Sequence, residues 1–564
     1  MPHSGFKHLV ANLTFAGTAF VSVAMSSLTP TQAQTTGFEA LEDFDYWADL
    51  CRLQATAEDY ENALAACEQA IALEPEEPSI WAQHSGILVN LDAFPDAIAS
   101  ANRALTFDPE NSLAIAYQCV AYTALGETET ALDKCNNALR VNGSWGSENP
   151  ALAWFYRGTI LAQAEQYELA LVAYERTLLL EPEDSLTLTR QCEAYVALER
   201  SNSALESCQA ALAVNKHWGE IGEEIGPALA WTYQGQAHTQ LGKYDDAIFA
   251  YDQAISLDPN NALTWAAQGQ VLEALRRDQE ALISYDRAVA IKADYALALL
   301  GQCTLLNRLG DYETSLAACD AAIDGDGDWG HQTLAQAWNE RSIALTGAGQ
   351  YEEALASINR AVGIQPDYVA AHNHRSTILW YLERYTQALA ANQRALDLDD
   401  TYASAWFTRG VIFRATEQYN HALAAYNQGL ALNPFSAWGW TNRSLVLWQL
   451  EQYDEALASA ERAIALEPES VPAWYNKGVA LAALGEYGDA IASYDQVLTL
   501  DATHADALTG RGIAWVHLED TAAATADLEA ALALNPDNAL AQETLTALTE
   551  AQSAETLPPP PPLF

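Results

Sequence analysis

The chain has 564 residues, and 75 acidic against 27 basic side chains give it a formal charge of −48. So acidic a surface repels phosphate backbones and anionic lipid, which excludes a nucleic-acid or anionic-membrane binder. Half of the residues are hydrophobic, far more than a disordered acidic tail carries, so the chain is expected to fold.

Residues 1–33 read as a signal peptide. Lys7, with His3 and His8 beside it, precedes an apolar run from Leu9 to Met25, and Thr31, Gln32 and Ala33 form an A-x-A-like cleavage site after Pro30. The expected location is periplasmic or secreted. A retained N-terminal anchor is the alternative, opposed by Asn12, Thr14, Gly17 and Ser22 within the run. Residues 34–43 are a linker, and no later stretch of about 20 apolar residues follows that could span a bilayer.

From Phe44 the chain repeats itself every 34 residues. Trp recurs at the fourth place, as Trp47, Trp81, Trp154, Trp231, Trp265, Trp338, Trp406, Trp440 and Trp474. Gly occupies the eighth place in Gly158, Gly235, Gly269, Gly410, Gly478 and Gly512, and an aromatic residue stands at the seventeenth, as in Tyr60, Tyr351 and Tyr487. Pro closes the repeat at the thirty-second, as in Pro75, Pro259, Pro434 and Pro468. Apolar places separated by three, four and seven predict two amphipathic helices per repeat, the second stopped by the proline. The repeats open at residues 44, 78, 112, 151, 185, 228, 262, 296, 335, 369, 403, 437, 471 and 505, and inserts of 5, 9 and 5 residues complete the span 44–538. A last amphipathic segment, 539–552, is suited to capping the array, and 553–564 is a Pro-rich tail, extended polyproline at most.

This pattern resembles the tetratricopeptide repeat, in which W…LG…Y…G.Y..A…Y..AL…P marks a helix pair, and the resemblance runs through nearly the whole mature chain. It implies an all-α fold, a right-handed superhelical solenoid of about fourteen antiparallel helix pairs. The first helix of each pair is then expected on the concave wall, the default binding surface.

Eight cysteines form four couples: Cys51 with Cys67, Cys119 with Cys135, Cys192 with Cys208, and Cys303 with Cys319. Each couple occupies the eighth and twenty-fourth places of one repeat, 16 residues apart, and in the resembled fold those places face one another across the two helices. Four disulfide staples are therefore expected, in keeping with export; small buried thiols are the alternative. Without C-x-x-C spacing or a nearby His, neither a metal site nor a redox centre is expected. Trp145, Trp218 and Trp329, each followed by Gly, precede the three inserts. They are read as lids on the longer loops, with ligand recognition by exposed rings as the alternative.

Places two, five, six, nine, twelve and thirteen line the concave wall of the resembled fold. In the first eight repeats they carry mainly Ala, Thr, Leu and Gln; from the ninth they carry Asn339, Asn373, His374, Trp380, Tyr381, Phe407, Arg414, Trp438, Asn442, Trp448, Tyr475 and Asn476. Rings supply contact area and amides hydrogen-bond an extended backbone, so a protein or extended peptide is the expected partner. At the seventh place, which the resembled fold fills with apolar residues, runs a basic ladder: Arg341, Arg375, Arg409, Arg443, Lys477 and Arg511. Two readings of it stand: heads paired with acids of adjacent repeats, or heads that bind a partner's carboxylates. The carboxylate clamp of some family members is not carried over, because its Lys is mostly Arg here.

Phosphate-loop, nucleophile-elbow, zincin and dinucleotide motifs are missing, and the array leaves no stretch for a catalytic domain, so neither an enzyme nor a cofactor is expected. Asp324, Asp326 and Asp328 lack the glycine and glutamate of a calcium loop, Trp329 and Ala335 standing in those places. The expected function is a non-enzymatic interaction scaffold; the alternative is a carbohydrate or envelope-assembly recognition module.

Overall fold

A computed structural model describes residues 43–146, 148–219, 222–330 and 332–549. The expected signal peptide, most of the linker, the end of the capping segment and the Pro-rich tail lie outside the described residues. Twenty-nine α-helices and no strand are present among the described residues. They fall into two compact units that divide between Ala293 and Asp294. The first unit holds seven helix pairs, from Phe44–Thr56 with Tyr60–Leu73 to Ala262–Ala274 with Asp278–Ile291. The second holds seven more, from Ala296–Leu309 with Tyr312–Ile323 to Ala505–His517 with Thr521–Leu534, and then the single helix Ala539–Thr549. Within each unit a first helix packs on its own second helix, on the second helix before it and on neighbouring first helices.

Three devices convert the period into this packing. At the eighth and twenty-fourth places the two helices come so close that a Cβ on Gly158 would lie 2.5 Å from the Tyr174 ring; Gly235 meets Tyr251, and Gly478 meets Tyr494, in the same way. Where the chain uses cysteines instead, Cys51–Cys67, Cys119–Cys135, Cys192–Cys208 and Cys303–Cys319 are bonded, with Cα atoms 5.1, 5.2, 5.4 and 5.1 Å apart. Second, the indole N–H of the fourth-place Trp donates to the carbonyl left free where the preceding pair ends: Trp81 to Pro75 (2.9 Å), Trp265 to Pro259 (3.0 Å), Trp440 to Pro434 (3.0 Å) and Trp474 to Pro468 (2.8 Å). Third, the turn inside every pair carries one residue in the left-handed region, Gly in five pairs but Glu58, Glu165, Glu383 or Glu451 in others.

The segments that lead into the inserts fold back on their own repeat. Ser144 and His217 carbonyls accept the Leu113 and Leu186 N–H groups at the start of first helices, as Asp328 does for Leu297. Asp326 Oδ1 accepts the N–H of Ala296 at 3.1 Å, so the acidic run caps a helix. Trp145 and Trp218 are buried, and each indole donates to a helix-ending Asn, Asn142 or Asn215, at 3.0 Å. Trp218 lies over Gly226, where a Cβ would come within 2.4 Å. The nine-residue insert is thereby partly helical: the sixth first helix runs Gly222–Gln240, through Pro227, and begins before residue 228 where the repeat register opens.

Two stability measurements follow. A left-handed L-residue costs about 1–2 kcal/mol against glycine's freedom in the unfolded chain, so Glu451→Gly is expected to raise the unfolding free energy by about 0.5 kcal/mol, read as a higher urea midpoint. Removing the Cys192–Cys208 staple as a double Ala variant is expected to lower the stability of the first unit by roughly 3 kcal/mol, read by hydrogen exchange of its helices.

Candidate partner-binding face

The second unit presents the predicted groove residues at three depths. Tyr381 and Trp438 are exposed, at 45 and 51 %. Asn373, His374, Trp380, Arg414, Asn442 and Trp448 are half-buried, and Asn339, Phe407, Tyr475 and Asn476 are buried. Rings gather in local groups. Trp380 meets Tyr381 edge-on at 4.8 Å, and Tyr381 stacks on Tyr351 of the preceding pair at 4.8 Å and 4°. Phe407 meets Trp438 at 6.0 Å, and Trp448 tilts against Tyr453 at 6.4 Å. Tyr475 turns into the packing against Tyr494 and His504.

The amides behave differently from one another. Asn442 donates to the Trp438 carbonyl of its own helix at 2.9 Å, and Asn476 to the Thr441 carbonyl of the neighbouring first helix at 3.2 Å. The buried amide oxygens of Asn339, Asn373 and Asn476, and the buried indole nitrogens of Trp380 and Trp448, have no hydrogen-bond partner among the described residues. His374 Nδ1 lies 3.1 Å from Ser342 Oγ, and burial lowers its pKa to about 4, so the ring is neutral at physiological pH.

The ladder points the other way, toward the second helices. Arg341 bridges Asp320 (2.6 Å) and Ser357 (2.6 Å), Arg443 bridges Asn427 (2.7 Å) and Ser459 (2.5 Å), and Arg511 bridges Asp495 (2.5 Å) and Asp527 (2.6 Å). Arg409 reaches Gln393 at 2.9 Å and Lys477 reaches Glu461 at 3.0 Å. Arg375, opposite Ala391, keeps a buried Nε with no partner among the described residues. The guanidinium groups of Arg341, Arg409 and Arg443 lie over the Trp338, Trp406 and Trp440 rings at 5.6 to 5.7 Å.

Two features escaped the sequence analysis. The seventh place is polar in the first unit too: His84 meets Ser100 (2.9 Å), Gln118 meets Asn102 (2.8 Å), Gln191 meets Ser207 (2.9 Å), and Gln268 meets both Asp252 (2.7 Å) and Ser284 (2.9 Å). Recurrence of Gln at the seventh place of its repeat, in Gln118, Gln191, Gln234 and Gln268, was the available signal. The second feature is the sixth place of the first unit, which holds Tyr117, Tyr156, Arg190 and Tyr233. Arg190 pairs with Glu193 at 2.8 Å, with the Tyr174 and Tyr233 phenols nearby, and burial raises both phenols. Burial, with a smaller push from Glu181, lifts Glu148 of the first insert to about 7.

The family model described as tetratricopeptide repeat matches residues 49–112, 304–369 and 441–505, and two further tetratricopeptide repeat models match 228–261 and 403–436. Among solved structures, similarity is found to the APC/C hetero-tetramer Cut9-Hcn1, with 15 % identity over 92 % of this chain and 99 % of that one and a TM-score of 0.42. YrrB, described as a TPR protein with an unusual peptide-binding site, is 25 % identical over 34 % of this chain and 97 % of its own, with a TM-score of 0.31. A tetratricopeptide repeat protein from Parabacteroides merdae is 17 % identical over 47 % of this chain and 98 % of that one, with a TM-score of 0.37. Comparison with curated proteins finds no match.

His374 makes one stability consequence measurable. Its folded pKa of about 4 lies below the 6.5 of the free side chain, so at intermediate pH the unfolded chain takes up the proton that the folded chain refuses. The neutral ring's contribution is complete above 6.5 and is lost as pH falls toward 4. His374→Gln is expected to flatten this part of the stability curve of the second unit, followed by hydrogen exchange between pH 7 and 4.5.

Proposed function

Because the chain belongs to the tetratricopeptide repeat family, we propose that it is a non-enzymatic protein–protein interaction scaffold whose second unit receives an extended segment of a partner protein along its first helices. The observation that carries this reading is the set of buried, unpaired polar atoms there. Leaving such an atom unpaired costs about 1–3 kcal/mol, and Asn373 Oδ1, Trp380 Nε1 and Trp448 Nε1 belong to half-buried side chains that would turn outward to meet a backbone's N–H and C=O groups. Exposed Tyr381 and Trp438 supply ring area beside them. The buried Asn339, Phe407, Tyr475 and Asn476 shape the wall from behind.

Preorganised helices spare the ordering cost of binding, so affinity does not depend on the protein folding around its guest. The charge of −48 favours neutral or cationic segments, with affinity declining as salt rises. Four disulfides support a periplasmic or extracellular setting, and no helix among the described residues is long and apolar enough to cross a membrane.

The test is a peptide selected against the full chain from a displayed random library, titrated against wild type and the triple variant Asn373→Ala, Trp380→Ala, Asn442→Ala. The variant is expected to lose about two orders of magnitude in affinity, near 2.7 kcal/mol, with an unchanged circular dichroism spectrum. Equal affinity in a folded variant would reject this face. Unchanged peptide binding together with lost glycan retention would favour carbohydrate recognition instead.

A further inference from the structure

The ladder contains its own internal comparison, and it turns on one residue. Arg443 is held by two hydrogen-bond acceptors, Asn427 of the preceding second helix at 2.7 Å and Ser459 of its own pair at 2.5 Å, with Glu455 an ion-pair partner at 3.8 Å. Thirty-four residues on, the corresponding places carry Lys477 with Glu461, Ser493 and Asp489. An ammonium gathers its three donors on one compact centre where a planar fork spreads its donors over separated nitrogens, and among the described residues Lys477 Nζ pairs with Glu461, at 3.0 Å. Ser493 is 2 % exposed, and its hydroxyl donates to the Asp489 carbonyl at 2.9 Å, as Ser459 donates to Glu455 at 2.7 Å. Ser459 also accepts from Arg443; Ser493 accepts from no group among the described residues. What takes the guanidinium's place is a cleft of about 420 Å³, open to solvent and lined by Glu461, Trp474, Lys477, Asp489, Ser493 and Gln496 among others.

We infer that this cleft binds a guanidinium group borne on a short alkyl stem. It lies between the second helices Tyr453–Leu466 and Tyr487–Leu500, so it is separate from the face assigned to the partner's backbone. Three carboxylates line it, Glu461, Glu486 and Asp489, against the single ammonium of Lys477, which makes the local field favourable to a cation. Ser493 and Asp489 stand at the places of Ser459 and Glu455, the first hydrogen-bonded to Arg443 and the second its ion-pair partner, so a planar fork with donors spread over two nitrogens fits both better than an ammonium, whose three donors sit on one compact, strongly hydrated centre. The stem has Leu457 and Ala492 to lie on.

The experiment uses the full chain labelled with 5-fluorotryptophan, with the Trp474 resonance identified from Trp474→Phe. N-ethylguanidinium is expected to shift that resonance saturably, and n-propylammonium to bind at least tenfold more weakly. Lys477→Arg fills the cleft from within and is expected to reduce ethylguanidinium affinity at least tenfold, while Asp489→Asn weakens it without altering the fold. Capped Gly-Arg-Gly and Gly-Lys-Gly peptides separate the two sources of such a group: preference for the arginine peptide over ethylguanidinium identifies a protein-borne side chain, and the reverse order identifies a free small molecule. No saturable shift, or equal affinity in Lys477→Arg, overturns the assignment. The triple variant of the first-helix face is expected to bind ethylguanidinium like wild type, so failure of one site is distinguishable from failure of the other.

Discussion

Each pair in this protein depends on how closely its two helices approach at a single crossing. With Gly at one side, a whole tyrosine ring lies against bare backbone, as Tyr174 does on Gly158 and Tyr494 on Gly478. With Cys on both sides, a covalent bond holds Cα atoms at just over 5 Å. Both solutions bring the helices close from opposite chemistry: one by removing a side chain to admit a large apolar surface, the other by linking two small ones. Cysteine pairs and glycine–tyrosine pairs alternate along the first unit, Cys119–Cys135, Gly158 with Tyr174, Cys192–Cys208 and Gly235 with Tyr251.

Neighbouring pairs are registered by polar contacts laid over that packing. The fourth-place indole takes the carbonyl that the terminating proline leaves exposed, and the seventh-place head bridges the second helix behind it to the second helix of its own pair. These contacts are directional, whereas burial of Ala and Leu is not, so they select one stacking geometry among several of similar apolar area. Arginine does this with its guanidinium over tryptophan, Arg443 over Trp440 in the second unit and Arg157 over Trp154 in the first; at other seventh places of the first unit glutamine does it with less reach. The staples follow the complementary distribution, three in the first unit and one in the second.

The period made the helix pairs legible because glycine, tyrosine, tryptophan and proline each enforce a separate geometric demand at a fixed place. Elsewhere the signal failed for identifiable reasons. Gln118, Gln191 and Gln268 carry no charge and so did not stand out as members of the ladder, although they make its hydrogen bonds. Glu383 and Glu451 adopt a left-handed backbone that nothing in a glutamate announces; only the glycines of other repeats at the same place do. Pro227 reads as a helix breaker, yet Trp218 packed on Gly226 draws the helix past it to Gly222. On the candidate face the residue types were legible but their depth was not: Phe407 and Trp438 look alike in sequence, and one is 7 % exposed, the other 51 %.

The distribution of cations bears on what such a surface attracts. Arg341, Arg443, Lys477 and Arg511 spend their charge on acids and amides within the packing, with side chains only 18 to 24 % exposed. The acids that meet solvent, such as Glu461 and Asp495, are about half exposed. The outward field is therefore more one-sided than the composition alone conveys. Such a field discourages association between copies of this chain and steers basic segments toward it, with the attraction falling over a Debye length of about 8 Å at physiological salt. For the partners proposed above, specificity would have to arise inside that distance, from fixed acceptors that match a planar cation and from polar atoms that match an extended backbone. Long-range charge decides which molecules arrive, and the geometry of a few buried polar atoms decides which of them stay.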